Sequence, residues 1–266
     1  MKRNTTALAA CLIPATLCAA ALSASAGQTA EEPIITVPAA SPWEFRITPY
    51  VWLTALDGTS GPDGYTTEFD ASFSDIAEVL KMAAALQVEA RYERWGFLAD
   101  GFYANLGQSG RTSGPENANV DVNLKQILAE FDILYRVCES NNHFVDVYAG
   151  VRYNKLKLAV DVDWTGEFGD EANYRSKGTD WADPIVGLRG QWNLNDKWYL
   201  AGKGDIGGFG VSSDLTWELQ GTVGYNFTPC FSTEIGYRYF DTDYNDGGFT
   251  YDVAQAGLLV NFNFTF

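Results

Sequence analysis

The C-terminal segment, residues 250–266, constrains the fold more than any other stretch because its apolar residues alternate with polar or small ones. From residue 254 onward every even position is apolar, ending in Phe262, Phe264 and Phe266. Such alternation predicts a β-strand with one face against an apolar medium and the other against a wet one. The segment is longer than the roughly 9–11 residues that a tilted strand needs to cross a bilayer. It therefore predicts the closing strand of a transmembrane β-barrel.

The first 26 residues have the pattern of a secretory signal peptide. Lys2 and Arg3 precede an apolar stretch, and Ala24-Ser25-Ala26 supplies a small-residue cleavage site. Lipoprotein processing at Cys11 is an alternative, but it would leave a signal of only about ten residues. We therefore expect export through the Sec pathway and a periplasmic N-terminal tail over residues 27–42, which contain three prolines.

The composition of the remaining chain favours membrane strands over membrane helices. No apolar run after the signal reaches the 18 residues that a spanning helix requires. Hydrophobic residues nevertheless make up 46% of the sequence and aromatic residues 14%, and they are spread in alternation as a barrel requires. The net charge of −16 makes nucleic acid an unsuitable partner. Divalent cations or basic ligands suit such a surface better, although acidic loops also simply keep copies of a membrane protein apart.

Segments in which apolar and polar residues alternate recur along residues 43–266. The connections between these segments are alternately short and long. This is the pattern of a barrel with periplasmic turns and longer extracellular loops. We predict an all-β, antiparallel up-and-down barrel of about ten strands, with eight or twelve as alternatives and both termini in the periplasm. The predicted strands are 43–55, 83–93, 96–107, 121–137, 143–160, 182–194, 197–212, 214–228, 231–243 and 250–266.

One face of these strands carries charges of both signs, and we predict that this face lines the lumen. A ten-stranded barrel has a backbone radius of only ~10 Å, so side chains from opposite walls would nearly meet. The lumen is then either closed by salt bridges or a narrow channel whose charge rings set selectivity. The predicted lumen acids are Glu44, Glu89, Asp100, Glu130, Asp132, Asp146, Asp183, Asp205, Glu218 and Glu234, and the bases are Arg46, Arg91, Arg136, Arg152, Arg189, Lys203 and Arg238.

Aromatic residues near the periplasmic strand ends predict one of the girdles that barrels place at membrane interfaces. They are Trp43, Trp95, Phe144, Trp198, Phe231 and Phe264.

The first long loop contains Phe73-Ser74-Asp75 followed by Ile76 to Lys81, which predicts a short helix with its N-cap at Ser74 or Asp75. This helix could fold into the barrel mouth as a plug, lie over it, or belong to an ordinary ordered loop.

The segment 241–247 resembles a calcium loop, since Asp241, Asp243 and Asp246 supply closely spaced carboxylates. However, the glycine comes one place late and no helices flank the loop, so it does not fit an EF-hand. These three residues are at most weak candidates for a divalent site that bridges to lipopolysaccharide. No cofactor is otherwise indicated.

Catalysis and disulfide formation are both disfavoured by position. His143 is the single histidine and sits beside a predicted periplasmic turn, far from the outer side where a barrel hydrolase would need its base. We therefore expect no enzymatic activity.

Cys138 and Cys230 fall in turns four strands apart, about 20 Å by the radius above, whereas a disulfide needs Cα atoms about 4.4–6.8 Å apart.

Several motifs together resemble a family of proteobacterial outer-membrane β-barrel proteins described as porin-like or OmpA/OmpW-like. They are WEFRITPYVWLTALDGT, FDASFSD, VEARYERWGFLADGFY, DWADPIVGLRG, KGDIGGFGVSSDLTW and GYRYFDTDYNDGGFTYD.

The resemblance implies a barrel in the outer membrane of a Gram-negative bacterium. We expect this barrel to be monomeric, with outer-membrane lipid and lipopolysaccharide around it. The resemblance also implies that the aromatic-ended tail (Phe262, Phe264, Phe266) is read by the barrel-assembly machinery. The expected role is structural, surface-binding or minor permeation, with a small-solute channel and a lipid- or peptide-hydrolysing enzyme as alternatives.

Overall fold

The computed structural model describes residues 41–62, 66–111, 117–165 and 171–266. The predicted signal peptide and nearly all of the predicted tail lie outside these residues. The described elements are β1 (Trp43–Pro62), β2 (Thr67–Ala71), α1 (Phe73–Val79), β3 (Leu80–Tyr92), β4 (Trp95–Arg111), β5 (Asn117–Glu139), β6 (His143–Thr165), β7 (Glu171–Asn193), β8 (Trp198–Gly208), β9 (Leu215–Thr228), β10 (Phe231–Asp246) and β11 (Phe249–Thr265).

The strands form one closed antiparallel barrel with ten positions in its wall. From β3 onward each strand pairs with the next in sequence, and β11 closes the barrel by pairing with β1 from Arg46↔Thr265 to Pro62↔Phe249. β2 and β3 share one position, because β2 pairs with the upper part of β1 and β3 with its lower part. The predicted ten-stranded barrel is confirmed.

The alternating sequence sets which face of each strand meets lipid. On β5, Phe131 is 64% exposed and Ile133 points the same way, whereas Glu130 and Asp132 are buried in the lumen. An arginine or lysine on the lipid face would cost about 2–4 kcal/mol at mid-bilayer. The same division, apolar outside and charged inside, holds on β1, β3 and β10, as predicted.

Several strands extend beyond the predicted bounds. The predicted loop 161–181 consists largely of the ends of β6 and β7, and β10 and β11 leave only a two-residue turn where residues 244–249 were expected to loop. Polar residues on both faces of much of these extensions weaken the alternation, although Trp181, Tyr244 and Tyr251 are buried on the inner side. In contrast, the predicted strand 197–212 stops at Gly208, because Gly208, Phe209 and Gly210 turn the chain with φ of 85°, 52° and 70°.

The periplasmic girdle forms from a chain of ring contacts. Trp95 packs on Tyr135, Trp198 on Tyr225, and Phe231 on Phe264, with centroids 4.9–5.0 Å apart. The prediction that Phe144 belongs to the girdle was wrong, because Phe144 faces the lumen on the same side of β6 as Asp146. There the guanidinium of Arg136 lies 4.0 Å from its ring centroid.

The predicted short helix in the first long loop is present as α1. Its N-cap is Ser72 rather than Ser74 or Asp75, because Ser72 and Asp75 complete a capping box. The Ser72 amide donates to the Asp75 carboxylate at 2.9 Å, and these hydrogen bonds hold the pKa of Asp75 below its usual value. Within the described residues, no helix is long and apolar enough to cross a membrane.

Below α1 the barrel wall contains a gap between β1 and β3. β3 pairs with β1 only up to Pro49, and β2 pairs with it only from Leu56, so Tyr50–Ala55 have no strand partner on this side among the described residues. On the opposite edge, Leu80 and Met82–Ala85 pair with β4 but not with β1. We call the opening between Tyr50–Ala55 and Leu80–Ala85 the wall gap.

Candidate functional site

The predicted lumen charges form two layers of ion pairs, of which the first lies nearer the periplasm. Fully buried Asp146 accepts from Arg91 (Nη2–Oδ2, 2.6 Å), Arg136 (Nε–Oδ1, 2.9 Å) and Arg189 (Nη2–Oδ2, 3.0 Å). Glu89 accepts two hydrogen bonds from Arg189, at 2.6 and 2.9 Å, and one from Arg91 at 3.0 Å. Residues from β3, β5, β6 and β7 thus join into one periplasmic layer.

The second layer is centred on Arg152, whose side chain is fully buried. Its guanidinium donates to Glu130 at 2.8 Å, to both oxygens of Asp205 at 2.8 and 2.9 Å, and to Glu218 at 3.2 Å. Arg238 donates to Glu218 at 2.7 Å, and Lys203 donates to Glu130. This central layer balances three bases against three acids contributed by β5, β6, β8, β9 and β10.

The ion pairs stabilise both layers because every charged side chain in them has at least one partner of opposite charge. Removing an ion from water costs several kcal/mol, and the cost is recovered only where geometry is good and further hydrogen bonds satisfy the remaining atoms. The bidentate pairs Arg152–Asp205 and Arg189–Glu89 meet this requirement. The arrangement can hold the lumen shut, since separating its members would leave buried charges unpaired.

Two tyrosines that the sequence does not single out hold lumen carboxylates against the wall. Tyr148 donates to Asp205 at 2.8 Å, and Tyr199 donates to Glu234 at 2.9 Å. Each ring lies across a glycine of the neighbouring strand, Gly187 or Gly224, where a Cβ would sit about 2.1–2.5 Å from ring carbons. The only sequence signal for Tyr148 is its parity with the charged positions of the same strand.

The other predicted lumen charges stand outside the two layers. Glu234 is held by neutral donors, with Asn261 at 2.9 Å and Asn263 at 3.0 Å in addition to Tyr199. Asp100 accepts from the Tyr50 hydroxyl at 2.8 Å. The remaining members are placed as follows: Glu44 and Arg46 pair at 3.8 Å at the periplasmic edge, Asp132 is buried beside the central layer, and Asp183 accepts from the Ser213 amide and hydroxyl.

An apolar layer, which the sequence analysis also missed, covers the ion pairs on the extracellular side. The layer consists of Tyr50, Trp52, Phe102, Ala104, Leu128, Phe240 and Leu259. Two of its rings lie over cations of the central layer, with Phe240 5.0 Å from Arg152 and Trp52 4.7 Å from Arg238. The lumen therefore changes from charged to apolar about halfway up the barrel.

The carboxylates predicted as weak metal ligands do not converge. Asp241 and Asp243 alternate with the buried Thr242 and Tyr244 and so face outward on β10, while Asp246 is exposed at the turn. Among the described residues, the acids close enough to share one ion are Glu130, Asp205 and Glu218, and cationic side chains already fill that position.

Repulsion on the outer face of β10 gives a testable consequence. Asp243 lies opposite Asp252, and partial burial together with the charges of Asp252 and Asp214 raises the pKa of Asp243. A raised pKa in the folded state means that stability is lost as pH rises through it. Asp243→Asn should therefore raise the heat-unfolding temperature at pH 7 and have no effect near pH 3, measured by the electrophoretic shift of folded barrel. An equal effect at both pH values would contradict this.

His143 and the cysteines lie at the periplasmic turns. His143 stacks on Trp192 (centroids 5.0 Å apart), its Nδ1 is 2.9 Å from the Ser140 hydroxyl, and its Nε2 is 3.7 Å from Cys138 Sγ. Cys138 is a free, exposed thiol, so it does not pair with Cys230.

The comparison with solved structures supports this architecture. The chain is similar to the outer membrane protease OmpT from Escherichia coli, with 12% identity, a TM-score of 0.54, and coverage of 85% of this chain and 98% of that one. The fold is that of an outer-membrane β-barrel.

Two further solved structures also match. They are Ail of Yersinia pestis (13% identity, TM-score 0.31, 84% and 98% of the two chains covered) and Neisserial surface protein A (14%, 0.32, 85% and 98%). No protein-family model matches the sequence, and no curated protein matches it either. At such low identities the similarity concerns the fold alone.

Proposed function

We propose that this chain is a monomeric barrel of the Gram-negative outer membrane that is closed to solutes and acts as a structural or surface-binding protein. The observation that carries this proposal is Arg152, which is fully buried while its guanidinium binds carboxylates from three other strands. These strands converge on one cation in the middle of the lumen, which leaves no room there for a hydrated ion. Sec export, a lipopolysaccharide environment and handling by the barrel-assembly machinery complete the proposal.

A narrow channel is the second candidate. A cavity of about 80 Å³ on the periplasmic side, lined in part by Arg46, Gln87 and Asn263, has room for a few water molecules. Passage would require the ion pairs around Arg152 to separate. We therefore place minor permeation below a surface role.

We further propose that the protein is not an enzyme. The supporting observation is the position of His143, which lies on the periplasmic side with Ser140 and Cys138 as its polar neighbours. An outer-membrane hydrolase of the kinds considered above would need its base at the opposite end of the barrel. A hydrolase activity that is lost in His143→Ala would overturn this part of the proposal.

Liposome swelling tests the closed lumen. Proteoliposomes placed in isotonic solutions of small sugars or amino acids should swell no faster than protein-free liposomes, because the central layer blocks the path. A large open porin serves as the positive control for reconstitution. Swelling that falls steadily with increasing solute size would instead establish the channel and reject the closed barrel.

A further inference from the structure

The extracellular half of the lumen contains an apolar cavity that the proposed function does not use. Its volume is about 580 Å³, within the range of about 300–1,000 Å³ that is typical of small-molecule sites. Leu106, Leu124, Leu156, Phe69 and Tyr251 contribute to its walls. Strands from several sides of the barrel thus surround a space that is almost entirely hydrocarbon.

The cavity adjoins the wall gap. Leu56 and Ala71 at the upper edge of the gap, Ile76 of α1 above it, and Ala104 and Leu106 on β4 beside it all line the cavity. On the lipid side, Phe73, Leu80 and Met82 are large exposed apolar side chains around the same opening. The upper end of the gap therefore lies beside the cavity, and the outer side of the gap faces the membrane.

The gap begins within the outer leaflet and reaches its headgroup level. With a rise of ~3.3 Å per residue and a tilt of ~40°, Tyr50–Ala55 lie roughly 18–30 Å above Trp43 in the periplasmic girdle. The apolar band of such barrels is about 25 Å tall. Backbone without strand partners at this depth is costly in lipid and is tolerated where it borders protein or a cavity. The fold thus keeps an interrupted wall here although the unpaired backbone groups cost free energy.

One polar group on the cavity wall lacks a partner. Gln255 is 1% exposed and lines the cavity, and its Nε2 donates to the Tyr251 hydroxyl at 3.1 Å. Its Oε1 is buried and accepts no hydrogen bond from the described residues. An unmet buried acceptor costs about 1–3 kcal/mol, so turning this amide toward a ligand hydroxyl in the cavity would recover that cost.

We propose that the cavity binds an uncharged amphiphile, with an aliphatic or aromatic body and one hydroxyl, which enters from the outer leaflet through the wall gap. The apolar walls take up the body of the ligand, and Gln255 accepts the hydroxyl hydrogen. Because the ion-pair layers lie beneath the cavity, the site is closed on the periplasmic side and retains its ligand. The protein would thus bind membrane-dissolved molecules at the outer face.

Binding of radiolabelled decanol to the protein in lipid nanodiscs tests the site. Saturable binding of one decanol per barrel, above that of empty nanodiscs, is expected. Leu124→Trp fills the cavity and should weaken binding at least tenfold, about 1.4 kcal/mol at 25 °C. Lys125→Trp, at the adjacent exposed position, is the matched control and should bind normally. Absence of saturable binding, or equal binding by both variants, would overturn the proposal.

Gln255→Leu tests the role of the amide. The variant should bind decanol about fivefold more weakly, as expected for one lost hydrogen bond, while its affinity for decane stays unchanged. If the variant binds decanol and decane with equally reduced affinity, the amide contributes only to the shape of the cavity wall. The proposed hydrogen bond between Gln255 and the ligand hydroxyl would then be wrong.

Ala85→Phe tests the route. Ala85 stands at the edge of the wall gap and packs against the apolar layer, but it is not among the cavity-lining residues. The larger ring should slow loading and release of decanol several-fold while leaving its equilibrium affinity unchanged. Folding is verified by the electrophoretic shift, and Ala83→Phe at the same edge serves if Ala85→Phe does not fold. Unchanged exchange rates in the folded variant would show that the ligand comes from water through the mouth.

Discussion

Replacing Arg152 with methionine should lower the free energy of unfolding by about 3–5 kcal/mol, the cost typical of breaking a buried ion pair from one side. The substitution leaves Glu130, Asp205 and Glu218 with only Lys203 and Arg238 to balance them. It also removes the cation that lies beneath the Phe240 ring. Urea unfolding in lipid micelles, followed by the electrophoretic shift of the folded barrel, measures the effect.

Two controls separate charge from packing in this experiment. Arg94→Met removes an exposed arginine in the β3–β4 turn and should change stability by less than about 0.5 kcal/mol. Adding Asp205→Asn to Arg152→Met removes one of the stranded carboxylates and should recover part of the loss. If Arg152→Met were as harmless as Arg94→Met, the central layer would not hold the lumen together.

Deleting Phe266 should strongly reduce the amount of folded barrel in the outer membrane. The residue closes the seam between the first and last strands, since its amide donates to the Phe45 carbonyl at 2.9 Å and its carbonyl accepts from the Phe45 amide at 3.2 Å. Its ring is 60% exposed and thus free to be recognised. Handling by the barrel-assembly machinery is part of the proposal above, and the terminal aromatic is the residue that we expect this machinery to read.

The measurement compares cells with purified protein. In cells, the fraction of heat-modifiable protein in outer-membrane fractions should fall sharply, whereas refolding of purified protein into micelles should change little because only one pair of seam bonds is lost. Phe227→Ala, which removes another exposed aromatic near the periplasmic edge, is the matched control. Normal insertion of the deletion variant would contradict the assembly role of Phe266.

The transmembrane part of the fold could be predicted because the bilayer imposes a period of two on every strand. Glu130 and Phe131 face opposite ways for this reason alone, and the lumen charges on β3, β5 and β10 follow from the same rule. The rule gives little signal where polar residues occupy both faces, which is why the sequence predicts a loop over 161–181 where β6 and β7 continue.

The pairing of charges and the wall gap could not be predicted from the sequence. The contact between Arg152 and Asp205 depends on the register of β6 and β8, which β7 separates in the wall, and alternation contains no information on that. Likewise, Leu124 and Leu156 line a cavity, but an apolar residue inside a barrel looks the same in the sequence as one in lipid. The wall gap arises because α1 stands between β2 and β3. The sequence predicts this helix, but it does not predict where the helix lies relative to the barrel wall.

Single-channel recording on refolded protein in planar bilayers tests the closed lumen most directly. The paired charges around Arg152 predict a flat current trace at moderate voltage, with no defined unitary step, in membranes shown afterwards to contain folded barrel. Stable, reproducible unitary steps from the wild-type protein would contradict the account, because ions would then be crossing the layer in which Arg152 is held.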